Sequence, residues 1–191
     1  PTADGPVVAD VTPPTGRRFV TVGFSWTVGS FTGMNDAGLV LCVERMEPLG
    51  APTLDGPPVE MVLRQVLQTA ATLPDALAQL QAATHLHGYH VLVADGTGQD
   101  ARVIEYGATQ TVRALVDGVL LGADPTGPTV DQTAKARYAR AAQLIGAERA
   151  FNVSGVQEIL RDSDPAQQGQ ARILNEMTRC SVVFLPKSRQ I

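Results

Sequence analysis

Histidine, cysteine and arginine set the chemical possibilities of this chain. His85, His87 and His90 fall together in His85-Leu86-His87-Gly88-Tyr89-His90. Imidazoles at that spacing could ligate zinc or copper, but no Cys, Asp or Glu stands at ligand spacing beside them. The residues therefore argue against a metal site: His85 and His87 read as loop residues before the strand, and His90 reads as a strand histidine. Cys42 lies in the apolar run Leu39-Val40-Leu41-Cys42-Val43, where a thiol is expected to be buried, protonated and inert. Cys180 follows Arg179, a cation of the kind that lowers a thiol pKa. There is no Gly-x-Ser-x-Gly elbow, and Asp95-Gly96-Thr97-Gly98 is too short for a phosphate loop. Arg137 and Arg140 sit three apart in Lys135-Ala136-Arg137-Tyr138-Ala139-Arg140, on its own a solvated basic helix face. Asn152-Val153-Ser154 has the form of a glycosylation sequon and reads as a helix cap.

These side chains must be positioned by elements that the pattern makes visible. Residues 1–16 are rich in Pro and Gly and read as a leading loop. Phe19–Trp26 alternates as a strand, Asn35-Asp36-Ala37-Gly38 is a turn, and Leu39–Val43 returns as an apolar strand. After a loop over Pro48–Pro58, Val59, Val62, Leu63, Val66, Leu67 and Ala70 mark one buried helical face. Thr72, Pro74 and Asp75 then open a second helix. The period next switches to two. Tyr89–Ala94, Arg102–Tyr106, Gln110–Val116 and Val119–Leu121 read as sequential antiparallel strands joined by Gly-containing turns. A long helix over Val130–Gly146 follows, then a helix capped by Ser154 and Gln157, and Cys180–Leu185 reads as a final strand. Helices arriving in pairs between antiparallel strands give an α+β layered fold.

Composition bounds the function classes. A chain of 191 residues with 44% hydrophobic and 18% charged residues carries enough apolar material for one domain with a full core. A net charge of −4 speaks against nucleic acid or an anionic membrane surface as partner. No apolar run is long enough to span a bilayer, and Pro1–Asp10 lacks the pattern of a secretory signal. Two cysteines make no disulfide framework, so a reducing, cytoplasmic setting is the expectation.

The stretch Phe24-Ser25-Trp26-Thr27-Val28-Gly29-Ser30-Phe31-Thr32-Gly33-Met34-Asn35-Asp36-Ala37-Gly38-Leu39 resembles the penicillin acyltransferase branch of the N-terminal-nucleophile hydrolases. The bile-salt hydrolase and penicillin V acylase branch is a more distant match. Gly33–Leu39 is the most specific part. Arg64-Gln65-Val66-Leu67, Asp75-Ala76-Leu77, Tyr89–Asp95, Val103-Ile104-Glu105 and Thr178 with Ser181–Phe184 match in the same order. The resemblance spans about residues 16 to 185.

It implies a four-layer α-β-β-α sandwich of antiparallel sheets, here without the first, nucleophile-bearing strand and without the last. It also implies cleavage or transfer of a linear amide C–N bond through an acyl-enzyme, with a small amide or acyl compound as substrate. In such relatives an N-terminal Cys thiol attacks while its own α-amine, with a pKa near 8, takes the proton. That Cys and its neighbouring Asp have no counterpart here. Arg137 falls where relatives place an active-site arginine, and is expected to point into a cleft from the rim of the Ala134, Tyr138, Ala141 and Ile145 stripe. The oxyanion region falls at Glu44 or Arg45 and at Ala123, beside Asp124, where relatives carry Asn and where Ala123 offers no side-chain donor. Phe24 and Trp26 stand among the expected pocket walls, and Asn35 and Gly38 are expected to shape the turn. If the last strand is missing or supplied by another chain, the edge beside Cys180–Leu185 would demand a covering partner, a second copy of the chain being one candidate. The alternative is a non-catalytic ligand-binding or structural relative.

Overall fold

The computed structural model describes residues 5–45, 56–83, 88–106, 110–122, 132–147, 151–164, 172–176 and 178–191. They fall into two compact units, Pro1–Gly122 with Phe184–Ile191, and Ala123–Val183.

The larger unit is built on a seven-stranded antiparallel sheet. Its strands are β1 (Pro6–Val11), β2 (Phe19–Phe24), β3 (Thr32–Asn35), β4 (Leu39–Arg45), β5 (Tyr89–Asp95), β6 (Asp100–Tyr106) and β7 (Gln110–Ala114). They lie side by side in sequence order, and the sheet is open. Two helices, α1 (Val59–Thr69) and α2 (Leu73–Ala82), are inserted between β4 and β5. Their apolar stripe, Val59, Val62, Leu63, Val66, Leu67, Leu73, Ala76 and Leu80, is buried against Phe19, Leu39, Leu41, Val91, Val93, Ile104 and Tyr106. Side chains alternate along a strand, so these sheet residues share one face. Each large aliphatic residue removed from water there contributes about 1.5–3 kcal/mol.

Polar bonds fix how the helices meet this face. A helix ends with carbonyls that have no partner within it. Three side-chain and backbone donors from the sheet side take those of α1. Asn35 Nδ2 donates to Leu67 O at 3.0 Å and to Ala70 O at 2.8 Å, and the Arg17 N–H donates to Gln68 O at 2.7 Å. At the start of α2, Thr72 accepts from the Asp75 N–H, and the Leu73 N–H donates to the Asp95 carboxylate at 3.1 Å.

The smaller unit contains α3 (Gln132–Ala147) and α4 (Val153–Leu160). Arg140 on α3 holds Asp162, just beyond α4, through two hydrogen bonds of 3.0 and 2.7 Å, and it also pairs with Asp164 at 3.2 Å.

The α+β class and the antiparallel sheet, left open, agree with the sequence reading. Several elements differ in detail. The stretch read as a leading loop contains β1, whose outward residues gain little burial and so leave a weak periodic signal. Thr32–Asn35 forms a strand of its own, too short for periodicity to show. Trp26 lies in the turn after β2 rather than in the strand. Val119–Leu121 makes an isolated bridge from Val119 to Val116 and no full strand. Ser181–Leu185 likewise forms no strand, and Leu185 bridges back to Gln190. The cap of α4 is Asn152, which accepts from the Gly155 N–H at 2.9 Å, so the capping residue is Asn152 and not Ser154.

Candidate active site

The second face of the sheet is chemically different from the helix-covered one. In register, Glu44 on β4 lies opposite His90 on β5, and His90 lies opposite Glu105 on β6. Glu105 lies opposite Thr111 on β7. One row across four strands therefore reads Glu, His, Glu, Thr. The adjacent row on the same face carries Thr32, Cys42, Leu92, Val103 and Arg113. Cross-strand neighbours at this spacing are close enough to interact directly.

His90 is 4% exposed and its Nε2 stands 3.8 Å from Glu105 Oε1. The Glu105 carboxylate accepts from Thr111 Oγ1 at 2.9 Å and from Arg113 Nε. Arg113 also donates to the carbonyls of Leu121 and Gly122, each at 3.1 Å. This network joins β5, β6, β7 and the segment that follows β7. Charge-assisted bonds to a planar guanidinium are among the stronger polar contacts a protein makes.

Cys42 belongs to this face. Its side chain reaches solvent, contrary to the expectation of burial, yet its thiol stands in crowded surroundings. Burial pushes the thiol pKa up, and the Glu44 carboxylate adds to the rise. The hydrogen bond from Thr32 Oγ1, at 3.6 Å, opposes both without cancelling them. The expected inertness of this thiol thus rests first on the desolvation of its sulfur, although part of the residue is exposed.

The residues singled out from the sequence are placed as follows. Glu44 and Arg45 end β4 and are exposed, with Glu44 on the polar face. Phe24 ends β2 and stacks on Trp26, ring centroids 5.5 Å apart and planes 4° from parallel. Trp26 is 65% exposed, an apolar plate facing water. Arg137 lies half-buried in the first half of α3. Ala123, Asp124, His85 and His87 lie outside the described residues. Among the described residues no group of His, Cys, Asp and Glu could hold a metal ion. No described helix is long and apolar enough to cross a membrane.

Asn35 and Gly38 shape the β3–β4 turn. Asn35 is buried, and besides its two donations to α1 its Oδ1 accepts from the Ala37 and Leu39 N–H groups at 3.0 and 3.1 Å. All its bonding capacity is spent on the fold. Gly38 has φ +85°, and a Cβ there would come within 2.6 Å of the Pro186 oxygen, so two requirements select glycine.

Sequence reasoning missed Glu105, Thr111 and Arg113 as a connected group. The signal was present in turn length. Pairing the two strands around Asp95–Gly98 sets Asp95 opposite Asp100, and that register brings His90 opposite Glu105.

An open antiparallel sheet with helices on one face and a polar row on the other is the kind of layer from which N-terminal-nucleophile hydrolases are built. The model of the family "Acyl-coenzyme A:6-aminopenicillanic acid acyl-transferase" matches residues 7–123, more than half of the chain, and the chain belongs to that family. Among solved structures, the N-acylethanolamine-hydrolyzing acid amidase ortholog of Caenorhabditis elegans aligns with a TM-score of 0.61 at 17% identity. That alignment covers 85% of this chain and 75% of the other, and it shows a shared fold. Penicillin V acylase from Agrobacterium tumefaciens aligns with a TM-score of 0.48 at 17% identity, covering 86% of this chain and 58% of the other. A variant of the conjugated bile acid hydrolase of Clostridium perfringens aligns with a TM-score of 0.48 at 16% identity, covering 76% and 51%. No curated protein matches the chain.

Proposed function

We propose that this chain forms part of a cysteine-dependent hydrolase or acyltransferase that acts on the linear amide C–N bond of a small acyl compound. The carrying observation is the family match over residues 7–123, which includes the β3–β4 turn and the whole polar face. The family's name and that of the nematode amidase share one chemistry, an acyl group joined to or moved onto nitrogen. In this reading an N-terminal cysteine of the processed protein, outside the 191 residues, attacks the amide carbonyl with its α-amine as base. The acyl group passes to its sulfur, the amine leaves with the proton, and water or a second amine then takes the acyl group. Cys42 is a poor candidate for that role because its thiol is held protonated.

Arg137 is the proposed orienting cation, and Glu44, Arg45, Ala123 and Asp124 are the proposed oxyanion and pocket positions. Phe24 and Trp26 are the proposed apolar wall for the acyl group. The test is to express the full encoded protein and present a panel of fluorogenic N-acyl amides, with and without an acyl-CoA and an amine acceptor. Turnover, together with an acyl adduct on the N-terminal cysteine by intact mass, is expected. Cys42→Ser and Cys180→Ser should keep that activity, whereas Arg137→Lys should lower kcat/KM at least about tenfold through loss of the planar fork. Ala123, which lacks the side-chain donor of relatives, favours a non-catalytic binding relative as the second reading. Saturable binding of an acyl amide with no adduct and no turnover would establish that second reading and overturn the first.

A further inference from the structure

The two edges of the sheet are finished differently. The β7 edge carries Gln110, Thr111 and Arg113, and Arg113 holds the Leu121 and Gly122 carbonyls at 3.1 Å each. The β1 edge has no such guard. Among the described residues β1 pairs with β2 alone, in an unbroken one-to-one register from Pro6–Phe24 to Val11–Phe19. Lysine, a bulge or a mid-strand proline are devices that keep an edge from pairing with another chain. β1 has no lysine and no bulge, and its proline stands at the first position. Its one charge, Asp10, is bound by Arg18 through two hydrogen bonds. Val8, 65% exposed, lies on the polar face in register with Val22, and Val7, 42% exposed, lies on the helix-covered face. An occupant of this edge must therefore be apolar on both faces. An amphipathic strand would cover one valine and set polar side chains against the other.

We propose that the β1 edge is an interface between two copies of this chain, joined by antiparallel β1–β1 pairing across a two-fold axis. β1 is itself the apolar, two-sided strand that the edge calls for. A two-fold axis pairs a surface with itself, and antiparallel edges exchange the same N–H and C=O groups in both directions. With the axis at Val8, Val8 meets its own copy, Val7 meets Ala9, and Pro6 meets Asp10. The two Asp10 carboxylates then lie four residues apart along the ladder, about 13 Å. That exceeds the screening length of about 10 Å at 0.1 M salt, and each carboxylate keeps its own Arg18. No like charges are opposed. Cys180–Leu185, where a covering partner was expected, forms no strand, so β1 is where a second copy finds backbone to pair with. This interface is independent of the reaction proposed above.

Sedimentation of the full encoded protein over about a hundredfold range of concentration should show a monomer–dimer equilibrium. Val8→Lys and Val8→Glu each set like charges opposite one another across the axis, and each should weaken dimerisation at least about tenfold. An equimolar mixture of the two should recover to within about threefold of wild type, because lysine then meets glutamate. Val112→Lys, at the β7 edge, where the valine is 42% exposed, should dimerise as wild type does. Amide hydrogen exchange should show protection of residues 6–11 that grows with concentration. A monomer at every concentration overturns the proposal, and protected β1 amides in that monomer would place another segment of the same protein on the edge. A dimer that Val8→Lys leaves unchanged overturns it too, since the contact then lies elsewhere. Two weakened variants that fail to recover on mixing overturn the two-fold pairing. Recovery supports it and shows at once that both variants are folded.

Discussion

The two faces of the sheet put the same strands to different uses. On the helix-covered face, Leu39 and Leu41 of β4 and Val91 and Val93 of β5 are all fully buried, and two buried polar side chains there bond to main chain. Asn35 makes four bonds, all to main-chain atoms, and Asp95 accepts from three backbone N–H groups. On the other face the alternate residues of the same strands include Cys42, Glu44, His90, Glu105 and Arg113 beside the apolar Val40, Leu92 and Val103, and Glu105 joins Arg113 and stands 3.8 Å from His90. Polar groups that bond to main chain specify a fold, because no alternative side chain serves the same atoms. Polar groups arranged side chain to side chain leave charge and hydrogen-bonding capacity available to a third party. The period of two lets both coexist on one strand.

Breaking the helix-covered face should have the largest effect. Leu63 is fully buried at the centre of the α1 stripe. Leu63→Ala should cost about 2–5 kcal/mol of unfolding free energy, the sum of lost transfer energy and the cavity left behind. Urea denaturation of the variant and of wild type gives the difference directly. Thr111→Val on the polar face should cost less than half as much, and an equal loss would mean that the two faces do not differ in kind.

Asn35→Ala tests whether the polar groups of the helix-covered face are part of the fold's specification. It strips partners from two helix carbonyls and from the N–H groups of Ala37 and Leu39. Leaving buried groups unpaired costs about 1–3 kcal/mol, and some of these groups will find water. A loss of about 2 kcal/mol in denaturation, with faster hydrogen exchange at the C-terminal turn of α1, is expected. Asn35→Asp should be no better, because a carboxylate accepts from the turn but repels the two carbonyls.

How much of this was legible in the sequence follows from the same contrast. The helix-covered face announces itself because apolar spacing is a one-dimensional signal. Val59 to Ala70 gives α1, Thr72 gives the start of α2, and Asn35 to Gly38 gives the turn. The bonds from Asn35 to Leu67 and Ala70 were not legible, since they join positions more than thirty residues apart and depend on how α1 docks. The polar face was hidden for a related reason. Glu105 and Arg113 look like ordinary exposed charges until the register sets them beside His90 and the Gly122 carbonyl. Arg140 was misjudged in the same way, as a solvated cation, because its carboxylate partners lie beyond the next helix.

Asp95 sharpens the comparison through pH. Burial pushes its carboxyl up, but the N–H groups of Gly98, Leu73 and Thr97 together pull it further down, so it titrates below its ordinary value of 3.8. A carboxyl whose native pKa is depressed binds fewer protons folded than unfolded. Its contribution is complete above the unfolded value and is lost as pH falls from about 3.8 through the native one. Asp95→Asn should therefore cost about 1 kcal/mol at pH 7 and flatten the decline of stability below about pH 4. Thermal melts of both proteins between pH 2.5 and 7 check this, and parallel curves would remove Asp95 from the account of acid lability.

The smallest effect is expected at Cys42, and it bears on whether the polar face owes its chemistry to its own thiol. Burial and the Glu44 carboxylate hold that thiol above its ordinary range, against the pull of the Thr32 hydroxyl. At pH 7 the thiolate fraction is then below that of a free cysteine, and alkylation, which needs the thiolate, must be slow despite solvent access. Iodoacetamide labelling followed by peptide mass analysis should find Cys42 modified more slowly than a cysteine in a short peptide, with the rate still rising above pH 9. Cys42→Ser should shift stability by less than about 0.5 kcal/mol, since the side chain is exposed and a hydroxyl can keep the Thr32 bond. Rapid labelling of Cys42 at neutral pH, or loss of amide turnover in Cys42→Ser, would instead make this thiol part of the reacting machinery. The division between the faces would stand in that case, but the nucleophile would belong to β4.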